Sequence, residues 1–347
     1  MKSIYIDGKS IKEDGPCFII AEIGQAHDGS LGSAHAYIDA VAEAGVDAVK
    51  FQTHIAHAES SKHEQFRVKG FPQDKTRYDY WKRMEFTPEQ WSDLLSHAKE
   101  KGLIFLSTPF SIEAVELLEN LNVPAFKIGS GDIDNIDLIE SVIKTQKPIL
   151  LSSGMSSYNE LDNTVEMIKK SENEFAIFQC TTSYPCNAED IGYNILNELK
   201  EKYNCHVGLS DHSGTIFPSF AAVTLGAKLI EVHATFSKLS FGPDTSSSLE
   251  IQDLKKLVEG VRFIERGMKN KIDKNTASNN RKQTKELFSR SAFYSKNILA
   301  GDIFDKNTFK MKKPGGGIKS GDIKKLLGKK IIKKRDYDDF VKFEDFE

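Results

Sequence analysis

Short, continuous apolar runs alternate with amphipathic stretches along most of the chain. The runs fall at Phe18–Glu22, Asp47–Gln52, Leu103–Ser107, Ala125–Gly129, Pro148–Ser152, Ala176–Cys180, His206–Ser210 and Lys228–His233. They are rich in Ile, Val, Leu and Phe, and most lack polar alternation. That pattern suits strands buried on both faces, as in a parallel sheet. Helix signals fill the gaps. Ser30 opens LGSAHAYIDAVAEAG, which stops at Gly45, a favourable C-terminal cap. Thr87-Pro88-Glu89-Gln90 starts the next with an N-cap, a first-turn proline and a capping-box glutamine. Further helices fit Ile112–Leu121, Asp137–Lys144, Tyr158–Lys170, Ile195–Tyr203, Pro218–Leu225 and Ile251–Gly267. A doubly wound sheet shares this alternation, but eight strand–helix units over about 250 residues favour a closed (β/α)8 TIM barrel.

One connection breaks the rhythm. Thr53–Phe86 reads as a long polar loop after the second strand, on the face where barrel insertions are usually functional. After Gly267 the composition shifts. Residues 1–268 read as the barrel, 269–285 as a polar linker without apolar periodicity, and 286–347 as a small, mostly β module. Such a module is small for an independent core, so docking on the barrel or on a partner chain is expected.

Composition narrows the class further. The chain has 347 residues, 39% hydrophobic and 28% charged, with a net charge of −3, so no bulk basic field argues for nucleic acid or membrane. Four scattered cysteines without a CxxC, no apolar N-terminal leader and no run long enough to span a bilayer predict a cytoplasmic protein.

In a (β/α)8 barrel, chemistry sits at the C-terminal strand ends. All eight ends here are polar: AEIG, KFQT, STPF, KIGSGD, SSGM, QCTTSY, SDH and EVH. Lys50 and Lys127 lie inside apolar strands, where an unpaired ammonium is costly, and so point to an anion-handling pocket. His212 and His233 end neighbouring strands, and closure brings Glu22 beside His233. Two imidazoles and a carboxylate there suit a labile divalent metal, Mn2+, Mg2+ or Co2+, better than structural zinc. His27 is read as a neutral donor in the same pocket, and His35, His57, His63 and His97 as surface residues. Asp211 either orients His212 or caps the following helix. Asp244 is a further candidate, and the glycine run at 314–317 is either an anion nest or a turn.

FIIAEIG with HDGS, VKFQTH, FLSTPF, FKIGSGD, LLSSGM, QCTTSYP, GLSDHS and EVHATF resemble, in order, the signature segments of the sialic acid synthases. That family comprises N-acetylneuraminate synthases and the related legionaminic and pseudaminic acid synthases. The C-terminal module is similar to their antifreeze-like (SAF) domain. The resemblance implies condensation of phosphoenolpyruvate with a mannosamine-type aldehyde sugar, giving a nonulosonic acid and phosphate. It also implies a homodimer whose C-terminal domain reaches the partner's active site.

Position by position, the resemblance assigns phosphoenolpyruvate contacts to Lys50, Thr108, Lys127, Ser130, Ser152 and Ser210. It assigns metal ligation to His212 and His233, acid/base work near the phosphoenolpyruvate methylene to Glu22, and sugar contacts to Gln52, Asp132, Tyr184 and Asp244. Three positions depart from the family pattern. Ala26 and Thr182, the latter at a phosphoenolpyruvate contact, stand where asparagine is common. Lys313 replaces the arginine that meets the sugar's acyl group, offering a point charge without the planar fork. The AEIG segment resembles neuraminate and legionaminate synthases more than pseudaminate synthases. Alternatives are a pseudaminate synthase, a metal-dependent aldolase or isomerase acting on a phosphosugar, and a carbohydrate- or ice-binding protein without turnover.

Overall fold

The computed structural model describes residues 1–67 and 73–347. Eight parallel strands form its centre: β1 (Phe18–Gly24), β2 (Ala48–Thr53), β3 (Ile104–Pro109), β4 (Phe126–Ile128), β5 (Ile149–Ser152), β6 (Phe175–Cys180), β7 (His206–Asp211) and β8 (Leu229–Thr235). Each pairs with the next, and β8 pairs with both β7 and β1, so the sheet closes. The (β/α)8 barrel expected from the strand–helix rhythm is the fold.

Alternation along the strands explains why they read as unbroken apolar runs. Successive side chains point to opposite faces. Ile19, Ala21, Val49, Phe51 and Phe105 face outward and pack with Tyr37, Ile38, Trp91 and Leu94 of the surrounding helices. The other set faces the barrel axis, where Phe18, Ile20, Ala48, Leu106, Leu150, Phe178 and Leu229 share an inner core. An N-terminal hairpin, Ile4–Ile6 with Lys9–Ile11, adds Ile4, Ile6 and Ile11 to that core. Two residues beyond Ile20, Ala48, Leu106, Leu150 and Leu229, the inward positions become Glu22, Lys50, Thr108, Ser152 and Glu231. The axis thus passes from a dry apolar plug to a polar chamber.

Capping follows the sequence signals. Ser30 accepts from Ser33 N, and Gly45 ends the helix Leu31–Ala44 with φ 85°. Thr87 and Gln90 form a capping box on Pro88–Glu100. The segment expected as a long polar loop is more ordered than that reading, although residues 68–72 of it lie outside the description. It holds two short helices, Ala56–Glu59 and Arg77–Met84, around a core of Ala56, Tyr80, Trp81 and Met84. Thr76 and Asp79 form a reciprocal capping box, so the second helix has its own start signal. Arg83 fastens the segment by donating to the Asp28 carbonyl at 2.8 Å and to Asp74.

The chain divides into Met1–Lys269 and Asn270–Glu347. Part of the expected linker is helical, at Lys274–Asn279 and Lys282–Phe288. The second unit has its own core, including Tyr294, Ile298, Phe304, Ile331 and Val341, and one antiparallel pair, Ser291–Tyr294 with Phe309–Lys312. Asp345 is buried beneath it and takes Arg335 Nε at 3.0 Å and the Tyr294 hydroxyl at 3.1 Å. Two amides of the glycine run are engaged by distant partners: Gly315 N donates to Glu286 O and Gly317 N to Ser291 Oγ.

His27 belongs to the frame. Its Nδ1 accepts from Gly29 N at 3.1 Å, and its ring packs against Phe86 and Phe51. Burial, with His54 and Arg83 nearby, lowers its pKa from 6.5 to about 3. Between these values the unfolded chain takes up a proton that the folded chain excludes, so His27 costs stability as pH falls. His27→Asn is expected to flatten the loss of urea resistance between pH 6.5 and 4.5. Parallel losses in variant and wild type would overturn that account.

Candidate functional site

Four charged side chains form the floor of the polar chamber. Glu22, Lys50, Lys127 and Glu231 are 1%, 2%, 3% and 4% exposed, so none has bulk water as a partner. Lys50 pairs with Glu22 and lies 3.6 Å from Glu231 Oε1, while Lys127 lies 3.0 Å from the same oxygen. Strand register makes these pairs, setting Glu22 opposite Lys50 and Ser210 opposite Glu231. Thr108 accepts from Lys50 at 3.1 Å, and Ser210 donates to Glu231 at 3.1 Å. Glu22 Oε1 and Glu231 Oε2 are buried without a hydrogen-bond partner among the described residues.

At Glu231, Lys50 and Lys127 burial opposes charge and pairing supports it, and the balance differs between them. At Glu231 burial pushes the pKa up, but Lys127 and Lys50 outweigh it and bring it down to about 2. At Lys50 burial is outweighed by Glu22 and Glu231, and the pKa rises. At Lys127 burial prevails, helped by Lys50, and the pKa falls.

Small hydroxyls surround the floor. Ser130 Oγ accepts from Gly154 N at 3.0 Å. A Cβ at Gly154 would stand 2.5 Å from Thr182 Oγ1 and 2.7 Å from Ser130 Oγ, so glycine permits their approach. Glu22, Lys50, Gln52, Thr108, Lys127, Ser130 and Asp132 line one cavity of about 200 Å³, together with Ser152, Thr182, Tyr184, Ser210, His212 and His233. Asp244 lines the adjoining space of about 520 Å³, with Gln52, Asp132, Thr182, Tyr184 and His233 shared between the two. Burial raises the Asp132 pKa. Lys313 belongs to the C-terminal unit, where its ammonium sits 5.1 Å over the Phe288 ring.

The two histidines meet with ring centroids 5.3 Å apart. His212 Nδ1 faces the Thr181 carbonyl at 2.8 Å, which places the proton there and leaves Nε2 as the lone-pair donor. Burial and His233 hold the His212 pKa at about 3, keeping the ring neutral. His233 Nδ1 is buried without a hydrogen-bond partner among the described residues. The lone pair on His212 Nε2 and the neighbouring His233 ring thus form a donor pair that fits a cation taking its remaining ligands from substrate or water. No group of three or more His, Cys, Asp or Glu suited to hold a metal is present among the described residues. Asp211 does not cap the following helix, which begins at Phe217 with Ile216 at its N-cap; it accepts from Ser213 N at 3.0 Å and Ser213 Oγ at 2.8 Å.

Three features escaped the sequence reading. Glu231 was visible as a polar strand end, and the cost of burying a charge applied to it as fully as to the lysines. Arg67 lies 4.2 Å over the Tyr184 ring, which stacks on His212 at 4.1 Å, and it donates to Asp244 at 2.6 Å. No local periodicity marks such an arginine. His54 and Trp81 also face the larger space. His27, expected in the pocket, lies outside its lining, because its ring is taken up by Phe86 and Phe51.

Comparison with known proteins places this geometry in context. The NeuB family matches residues 37–273. The N,N'-diacetyllegionaminic acid synthase of Campylobacter jejuni is 33% identical over 330 residues, covering 93% of this chain and 98% of the relative. A pseudaminic acid synthase of the same species is 34% identical, covering 96% and 97%. The crystal structure of the N-acetylneuraminic acid synthetase of Leptospira borgpetersenii, in complex with citrate, aligns with a TM-score of 0.72 at 30% identity, covering 83% of this chain and 97% of that one. No helix among the described residues is long and apolar enough to cross a membrane. The chain belongs to the NeuB family of nonulosonic acid synthases, with its polar chamber at the C-terminal mouth of the barrel.

Proposed function

We propose that the enzyme condenses phosphoenolpyruvate with an N-acylated mannosamine-type aldehyde sugar, giving a sialic or legionaminic type nonulosonic acid and phosphate. It is read as a cytoplasmic, C–C bond-forming transferase. The observation that carries this reading is the pair of buried ammonium groups, Lys50 and Lys127, beneath a ring of small hydroxyls. A compact, multiply charged anion matches that arrangement, with the lysines supplying charge and Thr108, Ser130, Ser152, Thr182 and Ser210 supplying orientation.

The bond changes balance without an oxidant. The methylene carbon of phosphoenolpyruvate attacks the aldehyde carbon, forming the C–C bond and leaving positive character at C2. Water adds there and loses a proton, and the tetrahedral intermediate expels phosphate. A divalent metal, Mn2+ or else Mg2+ or Co2+, held by His212 and His233 supplies Lewis-acid polarisation of the aldehyde oxygen when bound.

Glu22 is suited to manage the proton. An incoming anion competes for Lys50, and as that pairing weakens, Glu22 remains buried with Oε1 unpartnered. Its free oxygen is then available to the reacting atoms as an acid/base group. Gln52, Asp132, Tyr184 and Asp244 border the space left for the sugar. A homodimer that brings Lys313 to the partner's sugar is part of the same proposal, and a particle of monomer mass by light scattering would overturn it.

The reading is tested by phosphate release from phosphoenolpyruvate with Mn2+ and N-acetylmannosamine, mannose or 2,4-diacetamido-2,4,6-trideoxymannose, with products weighed by mass spectrometry. Release requiring both substrates, with the matching keto acid, is the expected result. Cleavage of a phosphosugar into two carbonyl fragments, seen by mass and without phosphate release, would favour the aldolase. Glu22→Gln is expected to abolish turnover while phosphoenolpyruvate binding stays within a few-fold of wild type, and near-normal turnover would remove Glu22 from the proton step. Gly154→Ala pushes Ser130 and Thr182 apart. Loss of one charge-assisted hydrogen bond corresponds to roughly a tenfold rise in the phosphoenolpyruvate KM, and an unchanged KM would displace the anion seat from these hydroxyls.

A further inference from the structure

His54 follows directly after β2, and both faces of its ring are covered. Trp81 stacks on one side with centroids 3.9 Å apart and an interplanar angle of 19°, and Phe110 stacks at 4.6 Å and 7°. The ring is thus fixed in plane, and both nitrogens are engaged. Nδ1 lies 2.8 Å from Glu59 Oε1, and Nε2 lies 3.3 Å from Gln25 Nε2 and 3.2 Å from Gln52 Oε1. Gln25 Nε2 also donates to Gln52 Oε1.

Donor and acceptor chemistry gives this chain one direction. A carboxylate only accepts, so the imidazole carries its proton on Nδ1, toward Glu59. Its Nε2 lone pair then accepts from the Gln25 amide, whose N–H groups also donate to Gln52 Oε1; the approach of Nε2 to Gln52 Oε1 is then between two acceptors bridged by that amide and is not itself a hydrogen bond. The Gln52 carbonyl is therefore used on the protein side, leaving its NH2 for the chamber. The position of that group agrees. A Cβ at Gly24, a residue with φ 52°, would stand 3.6 Å from Gln52 Nε2, 3.6 Å from Asp244 Oδ2 and 3.4 Å from Glu22 Oε1. The amide nitrogen thus borders Gly24, as do oxygens of Glu22 and Asp244.

We infer that His54 is a positioning residue that, through Gln25, fixes the Gln52 amide with its NH2 toward the acceptor sugar, so that Gln52 recognises an oxygen acceptor such as an N-acyl carbonyl or a hydroxyl oxygen. The inference rests on the proposed reaction for the identity of the ligand, but the amide orientation stands on the free protein. Trp81 and Glu59 come from the segment following β2, so that segment contributes to recognition by bracing a residue on a barrel strand.

His54→Phe separates packing from hydrogen bonding, since phenylalanine keeps the stack and loses both nitrogens. It is expected to raise the acceptor-sugar KM by about tenfold, the value of one hydrogen bond, with the phosphoenolpyruvate KM within twofold of wild type. His54→Gln, which retains an acceptor toward Gln25, is expected to recover most of that loss. His54→Phe combined with Gln52→Ala is expected to be no worse than Gln52→Ala alone. Wild-type kinetics for His54→Phe, or additive losses in the double variant, would overturn the inference. A second measurement needs no substrate. In protein labelled with 15N-glutamine, the Gln52 amide pair, assigned by its loss in Gln52→Ala, is expected to shift in His54→Phe and return toward its original position in His54→Gln. An unmoved pair overturns the inference. A wild type inactive on every sugar would overturn the reaction assignment, and the amide spectrum would still decide the role of His54.

Discussion

Two lysines and two glutamates on the axis of a closed barrel constrain everything above them. Each charge is nearly without water, and moving an isolated ion into such a place costs several kcal/mol. The floor is tolerable because the formal charges sum to zero and because Glu231 is shared by Lys50 and Lys127. Removing one partner of a buried pair typically costs about 3–5 kcal/mol, because the other is left uncompensated. Four strands must therefore hold register together: β1 for Glu22, β2 for Lys50, β4 for Lys127 and β8 for Glu231. The apolar plug beneath supplies that rigidity, since Ile20, Ala48, Ala125 and Leu229 are the inward residues just below these four charges.

Above the floor, the chamber changes character with height. The hydroxyls of Ser130, Ser152, Thr182 and Ser210 border a small polar volume suited to an anion. Farther out, His54, Trp81 and Phe110 give the larger space an aromatic side, facing the carboxylates of Asp132 and Asp244. The strands build the first region and loops build most of the second. Backbone pairing fixes strand ends to within a fraction of an ångström, whereas a loop must carry its own bracing. Here the bracing is the cluster of Tyr80, Trp81 and Met84, tied down by Arg83.

Legibility in the sequence followed the same division. The barrel was readable because strands covered on both faces leave unbroken apolar runs, and because Ser30, Gly45, Thr87 and Gln90 mark helix ends by local chemistry. Lys50 and Lys127 were readable because a charge inside an apolar run has no inexpensive structural explanation. Glu231 had the same signature, but the cation argument drew attention away from it. Arg67 and His54 were illegible for a different reason. Their partners, Tyr184 and Asp244 for one, Trp81 and Phe110 for the other, are distant in sequence, so no spacing encodes them. The helix Arg77–Met84 lay between these cases: its capping box is local, but an eight-residue helix in a polar stretch has little periodicity to display.

The asymmetry between the two lysines is what makes the floor more than an inert ion-pair network. Lys50 has two carboxylates within reach and Thr108 as a further acceptor. Lys127 has one carboxylate and, on another side, the face of Phe178 at 5.0 Å. An aromatic face attracts a cation more weakly than a buried carboxylate does. An anion entering the chamber therefore meets less competition at Lys127, and its charge offsets the burial that holds that lysine's pKa down. Lys50 yields only as its bond to Glu22 is exchanged for one to the anion. In the proposed condensation, recruitment and release thus fall to different lysines, joined through the single oxygen of Glu231 that both contact. Under the proposed reaction, the group that ends up uncompensated is Glu22, which register places opposite His233 as well as Lys50, between the metal-binding pair and the anion.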